Sequence, residues 1–194
     1  MKHLGRKFFH LLGGLGLLSL YFILGRHAAF VCYGVLIIFV LAFETVRLTL
    51  PAANRFLYTY FGSFIRKNEE RKLTGTAPYI LGVGLSLYAY SPPAASAAIC
   101  FLAFGDVAAT TIGERFGKTK IGHKSLEGTA AFVAAALAAG VLLSALGLGL
   151  APWIILLGAF VAAGVELLTL RVNDNLLIPV IAGAVMELAL RWAR

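Results

Sequence analysis

From its first residues the chain alternates long apolar runs with short polar breaks. Seven runs, at 8–24, 28–43, 78–91, 94–113, 129–150, 153–170 and 177–192, are apolar almost throughout. A bilayer core about 30 Å thick needs roughly 20 mostly apolar residues per spanning helix. The pattern therefore predicts about seven transmembrane helices, the third of them short. Between the second and third runs, Phe56, Leu57, Tyr60, Phe61, Phe64 and Ile65 recur at i, i+1, i+4, i+5, i+8 and i+9, with Arg55 and Thr59 opposite. That spacing predicts an amphipathic helix lying in the membrane interface within the segment 51–73. The expectation is an all-α integral membrane protein whose residues 1–194 form a single transmembrane domain, since seven spans leave no room for a soluble one.

Composition agrees: 60% of residues are hydrophobic and 13% charged, against about 25% charged in soluble domains. Lys2, Arg6 and Lys7 before an apolar run resemble a secretory signal peptide, but no A-x-A cleavage site follows and further spans do. The segment is expected to stay as the first span. Cys32 and Cys100 both fall inside spans, so they offer neither a disulfide framework nor metal-ligand spacing.

The net charge of +8 raises nucleic acid as a partner, but the distribution of the bases argues for topology instead. With the N-terminus in the cytoplasm, the inner segments hold Lys2, Arg6 and Lys7, six bases from Arg47 to Lys72, four from Arg115 to Lys124, and Arg171. Only Arg26, Arg191 and Arg194 of the 17 bases lie outside, as the positive-inside rule requires. No nucleic-acid partner is expected. The acids gather on the same side apart from Glu187, which Arg191 can pair at i,i+4. The outer connections, at 91–93 and 148–152, read as plain uncharged turns.

Chemistry is therefore sought on the cytoplasmic side. Asp106 lies inside a span, where an acid costs about 2.5–3.5 kcal/mol on insertion scales and is functional by default. Helical spacing puts Thr110 and Gly113 on its face, with Ala109 beside them. The bland alternative is an Asp paired with a base from another helix. The loop 114–128 carries Gly117, Gly122 and Gly128 among Arg115, Lys118, Lys120 and Lys124. Glycines let backbone N–H groups approach phosphate oxygens, and the next helix start, with Ser125 as N-cap, adds a favourable dipole. Gly117-x4-Gly122-His123-Lys124-Ser125 misses a Walker A loop by one residue and follows a helix, so a P-loop is rejected. Without the glycines, the loop would read as a basic patch touching anionic headgroups.

Glu166 ends the sixth run, and Asn173-Asp174-Asn175 forms a tight turn into the seventh. By itself this is cap chemistry. Together with Asp106 it offers oxygen ligands for Mg²⁺. Glu44 and Arg47 read as an i,i+3 pair, and 66–72 as a solvated charge run.

Several motifs occur in order along residues 7 to about 180: Lys7-Phe8-Phe9-His10, Glu44-x2-Arg47, Arg71-x2-Thr74-Gly75-x3-Tyr79, Gly105-Asp106-x2-Ala109-x3-Gly113-x2-Phe116-Gly117-Lys118, Lys124-Ser125-x-Glu127-Gly128 and Asp174-Asn175-x3-Pro179. The set resembles the CTP-dependent lipid kinase family, which comprises dolichol kinase, phytol kinase and the yeast-type diacylglycerol kinase. The resemblance implies a kinase that phosphorylates the hydroxyl of a membrane lipid at the cytoplasmic face, with CTP as phosphate donor and Mg²⁺ as cofactor. Isoprenoid alcohols and diacylglycerol both present one hydroxyl there, and apolar pockets separate such tails weakly, so the acceptor stays open.

Under this reading Asp106, Lys124, Glu127 and Asp174 are the catalytic candidates. Gly105, Thr110, Gly113, Lys118, Lys120, Gly122, Ser125, Gly128 and Asn175 would bind nucleotide, and Asp106, Glu166 and Asp174 the metal. Two of the segments are also similar to phosphatidate cytidylyltransferase, which makes cytidylyl transfer the alternative; the Asp174-Asn175-x3-Pro179 ending favours the kinase. A small transporter is a third reading, opposed by the absence of an internal repeat and of polar residues at the midplane. The partners expected are a membrane lipid and a nucleotide, with no oligomeric state implied.

Overall fold

The computed structural model describes residues 4–62, 69, 72–168 and 172–193. Among these the chain forms helices α1 (Leu4–Leu24), α2 (Arg26–Thr49), α3 (Pro51–Phe61), α4 (Thr76–Ala89), α5 (Pro92–Phe116), α6 (Leu126–Ala145), α7 (Pro152–Leu167) and α8 (Asp174–Trp192). A hairpin of β1 (Lys120–Ile121) and β2 (Lys124–Ser125) stands between α5 and α6. Helices α1, α2, α5, α6 and α8 are long and apolar enough to cross a membrane, while α4 and α7 are shorter apolar helices. The seven match the seven apolar runs in order. The protein is an all-α membrane protein.

Proline marks several helix starts. Pro51, Pro92 and Pro152 each open a helix, where a missing N–H costs nothing and the fixed φ is already helical. Helix α3 bears out the interfacial segment over its first half: Phe56 and Tyr60 stand exposed with ring centroids 4.7 Å apart. Phe64 and Ile65 lie outside the described residues.

Helix α5 forms the centre of the bundle. Ala94, Ala95, Ala97, Ala98 and Ala103 are all buried, and such small side chains let neighbouring backbones approach where no solvent drives helices together. Inside α8, Pro179 removes the N–H that would bond the Asn175 carbonyl one turn earlier. Helix α4 closes on that point through Gly82, where an added Cβ would lie 2.5 Å from the Asn175 carbonyl oxygen and 2.9 Å from Pro179 Cγ.

Polar contacts collect at the two ends of the bundle. At one end Lys7 Nζ meets Glu114 Oε2 at 2.9 Å, Glu44 pairs with Arg47, and Lys124 pairs with Glu166 and Asp174. At the other, Arg26 donates to the Tyr88 carbonyl at 3.3 Å. Glu187 accepts from Arg191 at 3.0 Å, as its spacing implied, and also from the Ser91 amide and hydroxyl at 2.9 and 2.6 Å. That carboxylate therefore anchors the α4–α5 turn to α8, which is more than a surface pair would do.

Candidate active site

The hairpin is what turns the predicted loop into a site. Gly122 takes φ +59° at its tip, a left-handed conformation that glycine adopts without strain. The chain returns through β2 to Ser125, whose Oγ accepts from the Gly128 amide at 3.1 Å and caps α6. Two strand residues on each side escape a periodicity reading, which is why this segment read as a loop.

Between the ends of α5, α6, α7 and α8 lies a cavity of about 660 Å³. Asp106, Thr110 and Gly113 line it from α5, as their common helical face implied. Lys120, Lys124, Ser125 and Gly128 line it from the hairpin and the start of α6, and Glu166 and Asp174 from beyond. Lys72, read as part of a solvated charge run, and His123, read only as the mismatch to a Walker A loop, border it too. Thr110 spends its hydroxyl proton on its own helix, donating to the Asp106 carbonyl at 2.8 Å, so only its lone pairs face a ligand.

Five other sequence candidates stand away from this cavity. Gly105 is closed against α6: an added Cβ would lie 2.6 Å from the ring of Phe132. It is a packing glycine, and its place beside Asp106 in sequence does not bring it to the site. Lys118 and Gly122 are exposed outside the cavity wall. Glu127 turns toward the hairpin base, where its carboxylate accepts from the Thr119 amide at 3.0 and 3.2 Å. Asn175 borders a second cavity, of about 450 Å³, beside the first. Even Gly128 and Gly113 serve close packing as well as the cavity wall. A Cβ on Gly128 would lie 2.8 Å from the Ala109 carbonyl, and one on Gly113 would lie 3.1 Å from Ser125 Oγ.

Electrostatics centre on Lys124. Its ammonium forms an ion pair with Glu166 Oε1 and lies 3.5 Å from Asp174 Oδ2. Burial, the largest single influence, disfavours its charge, but Glu166, Asp174 and Asp106 together outweigh that and hold its pKa above the ordinary lysine value. Among the described residues Asp106 makes no direct pair with a base, as its bland reading would require: its influence on Lys124 is felt through space. Glu166 is 2% exposed, and its Oε2 is buried without a partner among the described residues. A buried carboxylate oxygen left unbonded is costly, and Glu166 is a residue of the cavity wall.

Among the described residues no three His, Cys, Asp or Glu side chains stand close enough to bind a metal ion by themselves. Mg²⁺ is ordinarily held by one or two carboxylates together with substrate phosphates and water, so the arrangement fits an ion that arrives with a nucleotide. The lining points the same way. Five carboxylates (Glu69, Asp106, Glu114, Glu166 and Asp174) face three lysines across it, and a polyphosphate added to that balance needs extra positive charge.

The Glu44–Arg47 pair does more than its i,i+3 spacing suggested. Arg47 is 1% exposed and donates to Glu44 Oε2 at 2.5 and 3.2 Å, to the Lys72 carbonyl at 2.5 Å, and to the Glu69 carbonyl and Asn54 Oδ1 at 3.2 Å each. Glu44 Oε1 in turn accepts from the Thr74 hydroxyl at 2.7 Å. One buried guanidinium therefore straps the segment between α3 and α4 onto α2. Its carbonyl partners lie 22 and 25 residues downstream, beyond any local pattern.

A multispanning membrane protein with a charged cavity at one end of its bundle is the class these features define. Curated proteins similar to the chain include CTP-dependent diacylglycerol kinase 1 of Schizosaccharomyces pombe, 30% identical over 181 residues, which are 84% of this chain and 83% of the relative. CTP-dependent diacylglycerol kinase 1 of Saccharomyces cerevisiae is 31% identical over 137 residues, 67% of this chain and 47% of the relative. No family model matches the chain, and no solved structure does. The chain belongs to the CTP-dependent lipid kinase family.

Proposed function

We propose that the protein transfers the γ-phosphoryl group of CTP to the hydroxyl of diacylglycerol at the cytoplasmic face of a membrane. The observation that carries this reading is the cavity that brings Asp106, Glu166, Asp174 and Lys124 together at one end of a membrane bundle. The similar proteins act, by their names, on diacylglycerol with CTP, and that choice of acceptor narrows the wider set of isoprenoid alcohols. The 14 bases assigned to one side of the membrane support the cytoplasmic placement.

Phosphoryl transfer asks mainly for positioning and for charge stabilisation on the phosphate oxygens. Lys120 and Lys124 supply ammonium groups, and the Ser125-capped start of α6 supplies a helix dipole toward an anion. Asp106 and Glu166, with Asp174 beside them, are the residues that would hold Mg²⁺, which neutralises phosphate charge when bound. A carboxylate of the cavity wall accepts the proton of the lipid hydroxyl. Purified protein given γ-labelled CTP, Mg²⁺ and a panel of lipid alcohols tests the reading: label should enter diacylglycerol, and label confined to an isoprenoid alcohol would contradict it.

A further inference from the structure

The second cavity, about 450 Å³, lies between α1, α2, α3 and α4. It shares Glu69 with the first cavity, and its Asn175 is the chain neighbour of Asp174 in the first. Two rooms thus meet along one wall. The rim of the second is aromatic: Phe9, Phe43 and Phe61 line it and are each about half exposed, at 51%, 45% and 48%. In a membrane bundle an exposed aromatic rim on the outer helices opens toward acyl chains.

The polar side of this cavity has a definite character. Among the described residues that line it there is no lysine or arginine, and two carboxylates, Glu44 and Glu69, are present. With the Glu44 carboxylate already held by Arg47, no described lining base is left to pair an anionic headgroup, and the cavity suits a neutral one. At its inner end His10, 9% exposed, is bonded through Nε2 to Asn175 Oδ1 at 2.9 Å, while Nδ1 is buried without a partner among the described residues. Asn175 donates through Nδ2 to the Gly75 carbonyl at 3.1 Å. A carbonyl can only accept, which fixes the amide and leaves Oδ1 as acceptor toward His10. In the neutral ring the proton then sits on Nε2, and Nδ1 presents a bare lone pair. A buried acceptor without a donor calls for a hydroxyl.

We propose that this second cavity is the seat of the lipid acceptor, a neutral lipid alcohol that enters sideways from the bilayer, and that it disfavours the phosphorylated product. The proposal rests on the kinase reading above. A volume of about 450 Å³ lies in the range of single-ligand sites and holds the headgroup and the first part of its chains, the rest trailing past the aromatic rim. The hydroxyl is then held on the His10–Asn175 side, next to the wall shared with the charged cavity. Phosphorylation replaces a neutral group with an anion that no described base of the lining faces, which favours product release.

The test uses full-length protein in mixed micelles, with diacylglycerol and CTP varied separately. Val40→Phe and Leu57→Phe each narrow the cavity from a different helix. Each should raise the KM for diacylglycerol by about tenfold with the KM for CTP little changed, the signature of lost acceptor binding. A wild-type enzyme that transfers phosphate while neither variant moves the lipid KM, or while both KM values move in step, overturns the cavity assignment and leaves the kinase reading standing. Absence of wild-type transfer overturns both. Should the variants fail to accumulate, a diazirine-bearing diacylglycerol decides on the wild type. Label on the α1 and α2 segments around Phe9 and Val40 supports the site, and label elsewhere overturns it. Phosphatidate should compete with that label at least about tenfold more weakly than diacylglycerol, by the weight of an unpaired buried charge; equal competition refutes the neutral-headgroup claim.

Discussion

Lys124 and Glu166 meet as an ion pair across the floor of the charged cavity, one from the short hairpin and the other from the end of α7. The pair fixes the hairpin relative to the bundle and places the ammonium 3.5 Å from Asp174 as well. A lysine that merely obeyed the positive-inside rule would point to water or headgroups. This one is three-quarters buried, with its side chain 23% exposed.

That position ranks the lysines. Lys124→Ala should cut activity by about 10²-fold or more, the scale of losing a charge-stabilising donor. Lys120, which lines the cavity mouth, should show a smaller loss. Lys118 is exposed away from it and should show the least. Both read as nucleotide-binding in the sequence, and of the two Lys120 lines the cavity. Initial rates at saturating CTP for the three alanine variants check the order; equal mild effects would make the hairpin a membrane-surface patch.

Asp106→Asn should abolish activity while the protein still inserts and folds. The amide keeps the volume of the buried side chain and lowers its insertion cost, but it loses the charge a divalent cation needs. Activity and detergent-solubilised yield are measured together. Retention of more than a few per cent of activity removes Asp106 from the reaction. Loss of accumulation would give it a structural role.

Gly82→Ala probes the joint between α4 and α8. Its new Cβ would press on the Asn175 carbonyl and Pro179, backbone and ring atoms that cannot rotate away. A cost of about 1–3 kcal/mol is expected for such overpacking, read as a lower midpoint of thermal unfolding in detergent. An unchanged midpoint would show that the two helices can separate there freely.

The orientation is open to a direct check. A cysteine placed at position 120 should resist a membrane-impermeant thiol reagent in intact cells, whereas one at 194 should react. The expectation rests on the asymmetry of the bases, and the reverse pattern would invert the topology.

Much of this architecture was legible in the sequence because bilayer thickness imposes length and polarity on each helix. The seven apolar runs gave seven helices, and the common face of Asp106, Thr110 and Gly113 became a cavity wall. What escaped was set by contacts between distant segments. Gly105 looked like part of the site because it precedes Asp106, and only the ring of Phe132 shows it to be packing. For Glu127, a catalytic candidate in the sequence, the bond from the Thr119 amide at the hairpin base was likewise out of view. Arg47 looked like half of a local pair, since its carbonyl partners lie in a segment without periodicity. His10 was visible only as part of a motif. Its role depends on Asn175, at the far end of the chain.

The central claim is that the charged cavity moves the terminal phosphate of CTP onto a lipid hydroxyl. CTP labelled at the γ-phosphate in one set of reactions and at the α-phosphate in another, each with Mg²⁺ and with either diacylglycerol or phosphatidate, tests it most directly. The account predicts lipid-bound label from the γ-labelled nucleotide only, and its loss in Asp106→Asn. Lipid label from the α-labelled nucleotide when phosphatidate is supplied, with the γ-label recovered in pyrophosphate, would contradict it and make the protein a cytidylyltransferase.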